Sequence, residues 1–99
     1  MDYKVNVSLI ARTNIREAVA YYKESATIKV AKSFVKEYES NVKNIVPNPF
    51  YQVHYRDHRV KPMRKFPYII FYTLDEYNKI IYIKAVFNTH KNPIKYPKL

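Results

Sequence analysis

The sequence predicts an α+β domain in the order β-α-α-β-β-β, with two antiparallel helices on one face of a mostly antiparallel sheet of about four strands. Three observations carry that expectation. Two β-branched and aromatic runs, 66–72 and 80–87, flank the polar turn Asp75-Glu76-Tyr77-Asn78, which reads as a hairpin. Two longer stretches upstream repeat apolar residues every three or four positions, the period of a helix buried on one side. A short alternating segment precedes both.

That first segment sets Tyr3, Val5 and Val7 against Lys4, Asn6 and Ser8, the pattern of a half-buried strand. Ser8 then caps a helix, since its hydroxyl oxygen can accept from an exposed backbone N–H. Ala11, Ile15, Ala18, Val19 and Tyr22 form the helix's apolar stripe, to about Glu24. Ser25 and Thr27 restart a helix whose stripe is Ile28, Ala31, Val35, Tyr38, Val42 and Ile45. Pro47 and Pro49 end it, because proline has no N–H to donate and clashes with the preceding turn. Three strands follow, over 54–61, 67–73 and 79–87. In the last, Ile81, Ile83, Ala85 and Phe87 are expected to pack on the helices, and Ile80, Tyr82, Lys84 and Val86 to face away.

Composition bounds the chemistry. The 99 residues suffice for one domain, taken as 1–99, with one modest core. Glycine is absent, against about 7% on average, so a P-loop or a Rossmann fingerprint is excluded. Cysteine is absent too, which removes disulfides, thiolate nucleophiles and cysteine-ligated metals. No apolar run approaches the ~20 residues of a membrane span, and the N-terminus lacks the apolar core of a signal peptide. A soluble, cytoplasmic protein with no membrane partner is expected.

The net charge of +10 is unevenly placed. Residues 1–39 carry seven Lys/Arg against five Asp/Glu, whereas residues 40–99 carry eleven against three. That asymmetry points to an anionic partner. Arg56, Arg59, Lys61, Arg64 and Lys65 are the candidate phosphate- or RNA-binding residues. Lys29, Lys32, Lys36 and Lys43 share one face of the second helix and read as its solvated side. His54 and His58 sit at poor spacing for a metal pair, and no metal or other cofactor is expected. Tyr68, Tyr72 and Tyr82 could stack on bases, although strand aromatics ordinarily pack against cross-strand neighbours. Lys84 stands out as a cation within an apolar strand, since burying it unpaired would be costly.

With this element order, the chain resembles the RelE/ParE superfamily of bacterial type II toxins over about residues 3–96. The features that carry the resemblance are a strand ending in Ser8 before a helix with Ala20-Tyr21-Tyr22, then Tyr55-Arg56-Asp57-His58-Arg59, then Lys65-Phe66-Pro67-Tyr68 with Ile70 and Tyr72. The closing feature is Ala85-Val86-Phe87-Asn88-Thr89-His90-Lys91-Asn92-Pro93. The resemblance implies a small toxin neutralised by a cognate antitoxin that masks its basic face. It leaves two targets open. RelE-type members cut mRNA on the ribosome without metal, which needs proton-transfer groups beside cations; here Lys84, His90 and Tyr96 are the candidate catalytic residues. ParE-type members inhibit DNA gyrase and need no such constellation. Many members carry an arginine where this chain has Ile69, and a histidine common near Asn88 is missing, with His90 two residues on. A non-toxic basic module of the same fold, docking on RNA or an acidic protein, is the alternative.

Overall fold

The computed structural model describes residues 3–51, 53–55 and 57–90, without the side chains of 53–55. Its elements are β1 (Lys4–Val7), α1 (Leu9–Ser25), α2 (Ile28–Ile45), β2 (Val53–Tyr55), β3 (His58–Pro62), β4 (Tyr68–Asp75) and β5 (Ile80–Asn88). The strands form one mixed sheet in the order β1-β5-β4-β3-β2, with β1 parallel to β5 and the other pairs antiparallel. The fold class is the expected one. The sheet has a fifth strand because 54–61, read as one strand, is two short ones that pair with each other.

Both helices begin where the capping residues place them. Ser8 and Thr27 hold extended backbone and accept from the N–H groups of Ala11 and Val30, at 3.0 and 3.1 Å. In α1 the predicted stripe is the packed one: Ala11 and Ala18 are buried, and Ile15, Val19 and Tyr22 lie against the core. In α2 the buried column is Ala31, Phe34, Tyr38, Asn41 and Ile45. Phe34, outside the predicted stripe, is fully buried, while Ile28 projects from the first turn and is 60% exposed. Phe34 occupies the hub of an aromatic cluster. Tyr22, Phe66 and Tyr68 surround it with ring centroids 5.8, 5.3 and 4.9 Å away. Such tilted and edge-on contacts suit ring quadrupoles and add about 0.5–1.5 kcal/mol per pair beyond area burial.

The hairpin turn is built without glycine. The Asp75 carboxylate accepts the Asn78 backbone N–H at 3.0 Å and its side-chain amide at 2.7 Å, and both bonds hold its pKa below the ordinary range. Lys79 then takes the left-handed conformation, φ 58°, that glycine would otherwise supply.

One irregularity re-sorts the faces of β5. Tyr72 pairs with Ile83 and Phe71 with Ala85, so Lys84 is an extra residue in β5, a β-bulge. Beyond it the alternation changes phase. Ile81, Ile83 and then Val86 join the core under the helices. Ala85 and Phe87, expected there, lie opposite Phe71 and Ile69 on the other face, the Phe87 ring 6.3 Å from that of Phe71, and Val86, expected to face away, takes the core position. Strict period-2 counting fails at a bulge because two residues oppose one.

The bulge sits where β1 ends and α1 begins. Ser8 donates its backbone N–H to the Ile83 carbonyl at 3.0 Å and its hydroxyl to the Lys84 carbonyl at 2.9 Å. One turn on, the Asn14 side-chain oxygen accepts the Val86 N–H at 3.0 Å. Side chains of α1 thus satisfy the edge of β5 after β1 has stopped pairing with it.

Replacing Asn14 with Ala strips the acceptor from the Val86 N–H and is expected to cost about 1–3 kcal/mol in urea unfolding. Exposed Arg16→Ala on the same helix is expected to change stability by no more than about 0.5 kcal/mol.

Tyr72 supplies a pH-dependent expectation. Its buried hydroxyl donates to the Pro49 carbonyl at 3.0 Å. Burial pushes its pKa from 10.0 to about 12, against the opposing influence of a Tyr51 backbone hydrogen bond and Arg59. The folded state therefore holds this proton more tightly, and that contribution is complete below pH 10 and lost as pH rises through about 12. Tyr72→Phe is expected to cost about 1 kcal/mol at neutral pH. Urea midpoints of the variant should fall less steeply than wild type between pH 10 and 12.

Candidate functional site

A polar cleft opens between α2 and β3 with its following loop. One wall is the outer side of α2, with Lys36, Glu37, Ser40 and Asn44; the other is β3 and its following loop, with Lys61, Arg64 and Lys65. The cleft is open and measures about 510 Å³. The Glu37 carboxylate fixes the loop wall. One of its oxygens accepts the Arg64 N–H at 2.6 Å, and both lie 3.1 Å from the Lys65 N–H. Charge-assisted bonds of this kind are stronger than neutral ones. With Glu37 engaged in this way, Lys36, Lys61, Arg64 and Lys65 leave the cleft with a positive surplus.

Strand register explains which predicted cations reach it. Arg59 and Lys61 pair with Tyr72 and Ile70, both core residues, so all four point to the helix side. The segment after α2 crosses this side, tied down by the Tyr72–Pro49 bond. There the Arg59 guanidinium lies 5.6 Å from the Phe50 ring centroid and donates to the Tyr51 carbonyl. The Lys61 ammonium lies 5.3 Å from the centroid of the Tyr51 ring. Lys61, Arg64 and Lys65 are therefore brought together, and Arg59 lies alongside. The side chain of Arg56 is outside the described residues.

The proton-transfer candidates are placed elsewhere. Lys84, at the bulge, extends its ammonium over the Tyr82 ring, 5.8 Å from the centroid, on the sheet face away from the helices. Lys84 is thus separated by the sheet from Lys61, Arg64 and Lys65. His90 is exposed in the turn beyond β5, where its backbone N–H donates to the Asn88 side chain at 2.8 Å. From Lys84 to the end of β5 is about 13 Å at ~3.3 Å per residue. Tyr96 lies outside the described residues. Between Lys84 and His90 that sheet face carries Ile69, Phe71, Ala85 and Phe87, with Phe71 and Ala85 buried and Ile69 and Phe87 half-buried.

The tyrosines proposed for stacking divide. Tyr68 and Tyr72 are buried, and Tyr82 is half-buried on the far face. Burial raises the pKa of Tyr68, opposed by a hydrogen bond to Asn88, and raises that of Tyr22 to about 12. The side chain of His54 is outside the described residues, and His58 is buried with Nδ1 3.2 Å from the Asp57 carboxylate. Among the described residues no three of His, Asp and Glu gather to hold a metal.

Sequence reasoning missed Lys36, Glu37 and Phe50. Lys36 belongs to a lysine face that reads as solvated, and only its position across from Arg64 gives it a partner surface. Glu37 is adjacent in sequence but remote from the loop it holds. Glu37→Ala is expected to free two loop amides and cost about 1–3 kcal/mol. Hydrogen exchange should then speed up at Arg64 and Lys65 while the β4–β5 hairpin amides remain protected; unchanged exchange at those two residues would contradict this anchor.

Comparisons agree on the family and fold. Residues 5–93 match the family model described as ParE toxin of type II toxin-antitoxin system, parDE. Among curated proteins none matches significantly. A solved chain of the chromosomal ParDE toxin–antitoxin system from P. aeruginosa is similar at 14% identity and TM-score 0.75, covering 87% of this chain and 95% of that one. A chain of the toxin–antitoxin complex RelBE2 from Mycobacterium tuberculosis is similar at 14% identity and TM-score 0.56, covering 89% and 99%. At that identity the two structures show a shared fold.

Proposed function

The chain belongs to the ParE toxin family of type II toxin–antitoxin systems, and from that premise we propose that it arrests growth by blocking DNA gyrase and is neutralised by a cognate antitoxin. The carrying observation is the placement of Lys36, Lys61, Arg64 and Lys65 on the helix side of the sheet, across from Lys84. Ile69 stands opposite Phe87, and Phe71 opposite Ala85, between Lys84 and His90, and of these Phe71 and Ala85 are buried. Cutting RNA there would require cations to offset charge on the crowded phosphate, beside groups that transfer protons. Lys36, Lys61, Arg64 and Lys65 instead collect on the helix side, away from those groups. Inhibition by binding needs no such arrangement.

An antitoxin suits the rest of the surface. Leu9, Ile10 and Tyr21 on α1 and Ile28 on α2 are exposed, at 75, 50, 45 and 60%. A partner with apolar anchors and an acidic segment would cover these side chains and complement the charge of +10. The protein acts in the cytoplasm as one domain over residues 1–99, and among the described residues no helix is long and apolar enough to cross a membrane.

Expression without the antitoxin is expected to stop growth, and co-expression of the neighbouring gene product to restore it. Purified chain should block supercoiling by gyrase while mRNA in a translating extract stays full length. Cleaved mRNA with normal supercoiling would replace this reading with the ribosome-dependent nuclease, with Lys84, His90 and Tyr96 as its first residues to test. Normal growth at verified soluble expression would favour the non-toxic binding module.

A further inference from the structure

We propose that the helix-side cleft and the aromatic step beside it form a binding track for single-stranded nucleic acid. Phosphates would occupy the cleft between Lys36, Lys61, Arg64 and Lys65, and a base would stack at Phe50 under Arg59. This track lies across the sheet from Lys84 and goes beyond gyrase inhibition.

Three observations support it. The cations come from two elements that are distant in sequence, and the Glu37 bonds to the Arg64 and Lys65 amides hold their loop in place. The one carboxylate lining the cleft is thereby engaged in structure, so the surplus charge remains for a ligand. Arg59 and Lys61 then continue the line along β3, about 6.6 Å apart on one face at ~3.3 Å per residue.

Aromatic rings favour nucleic acid over an acidic peptide as the occupant. Phe50 is 52% exposed although it is a large apolar side chain, and the Arg59 guanidinium lies over its ring. Tyr51, half-buried against the core, lies beneath the Lys61 ammonium. Cations that track a phosphate backbone beside rings on which bases stack are the working parts of single-strand binding surfaces. A carboxylate-rich peptide would use the cations and gain nothing from an exposed ring.

The test is fluorescence anisotropy of a labelled 20-nucleotide oligo-dT with the purified full chain, read across a salt series. Each phosphate-binding cation removed should lower the slope of log affinity against log salt by about 0.7. Exposed Lys36→Ala and Arg64→Ala should each do so, whereas Lys23→Ala, on α1 and outside the cleft lining, should leave the slope unchanged. Phe50→Ala should weaken binding by roughly 5- to 150-fold with the slope intact, the range for loss of one stacked base. Circular dichroism on each variant confirms that it is folded. Equal slope losses in Lys23→Ala and Lys36→Ala would reduce the track to bulk charge and overturn the proposal. A Phe50→Ala variant of unchanged affinity, with polyglutamate displacing the oligonucleotide at matched charge, would overturn it in favour of an acidic polypeptide. Because binding is read on the isolated chain without gyrase, either failure leaves the toxin reading standing, and failed growth arrest leaves this one.

Discussion

The Ser8 hydroxyl accepts the Ala11 N–H and donates to the Lys84 carbonyl, and the placement of the helical layer depends on that shared contact. It starts α1 at the residue where β1 stops, and it closes the edge of β5 at the bulge. Asn14 repeats the device one turn later at Val86. Without these two side chains, β5 beyond Ile83 would present unpaired backbone groups to the underside of a helix, where water cannot easily replace them. The direction of α1 over the sheet, and through it the position of α2 and the cleft, follows from how this edge is satisfied.

Much of this architecture was legible in the chain. Ser8 and Thr27 announce helix starts, the prolines at 47 and 49 announce an end, and the two apolar runs announce a hairpin, because each signal is local. The errors arose where a distant contact decides. Periodicity does not single out Phe34, because two adjacent columns of α2 are apolar and only the aromatic partners Tyr22, Phe66 and Tyr68 select between them. Phe87 lies on the face opposite to the one unbroken alternation predicts, because the count shifts at Lys84. That lysine did carry a signal. A charged residue within an apolar strand drew attention as a site residue, and it marks the extra residue where the strand changes phase.

The same distinction separates the parts of the candidate site. Lys61, Arg64 and Lys65 could be read as one group because they lie within five residues. Lys36 joins them only in three dimensions, since α2 must run beside β3 before its lysine face has anything opposite. The segments that carry the family resemblance prove in part to be packing segments: Tyr22 from one meets Phe66 and Tyr68 from another. Their recurrence together reflects a joint between helices and sheet as much as any chemistry.

The parallel pairing of β1 with β5 has a kinetic consequence. Lys4 to Val7 can find their ladder partners only after Ile80 to Ile83 exist, and the Ser8–Lys84 bond spans 76 positions. The hairpin of β4 and β5 is local and can close quickly, but docking the first strand against it requires closure of nearly the whole chain, a slow entropic step. During synthesis β1 therefore waits for β5 to emerge. The sheet edge and the start of α1 are completed together, late in folding.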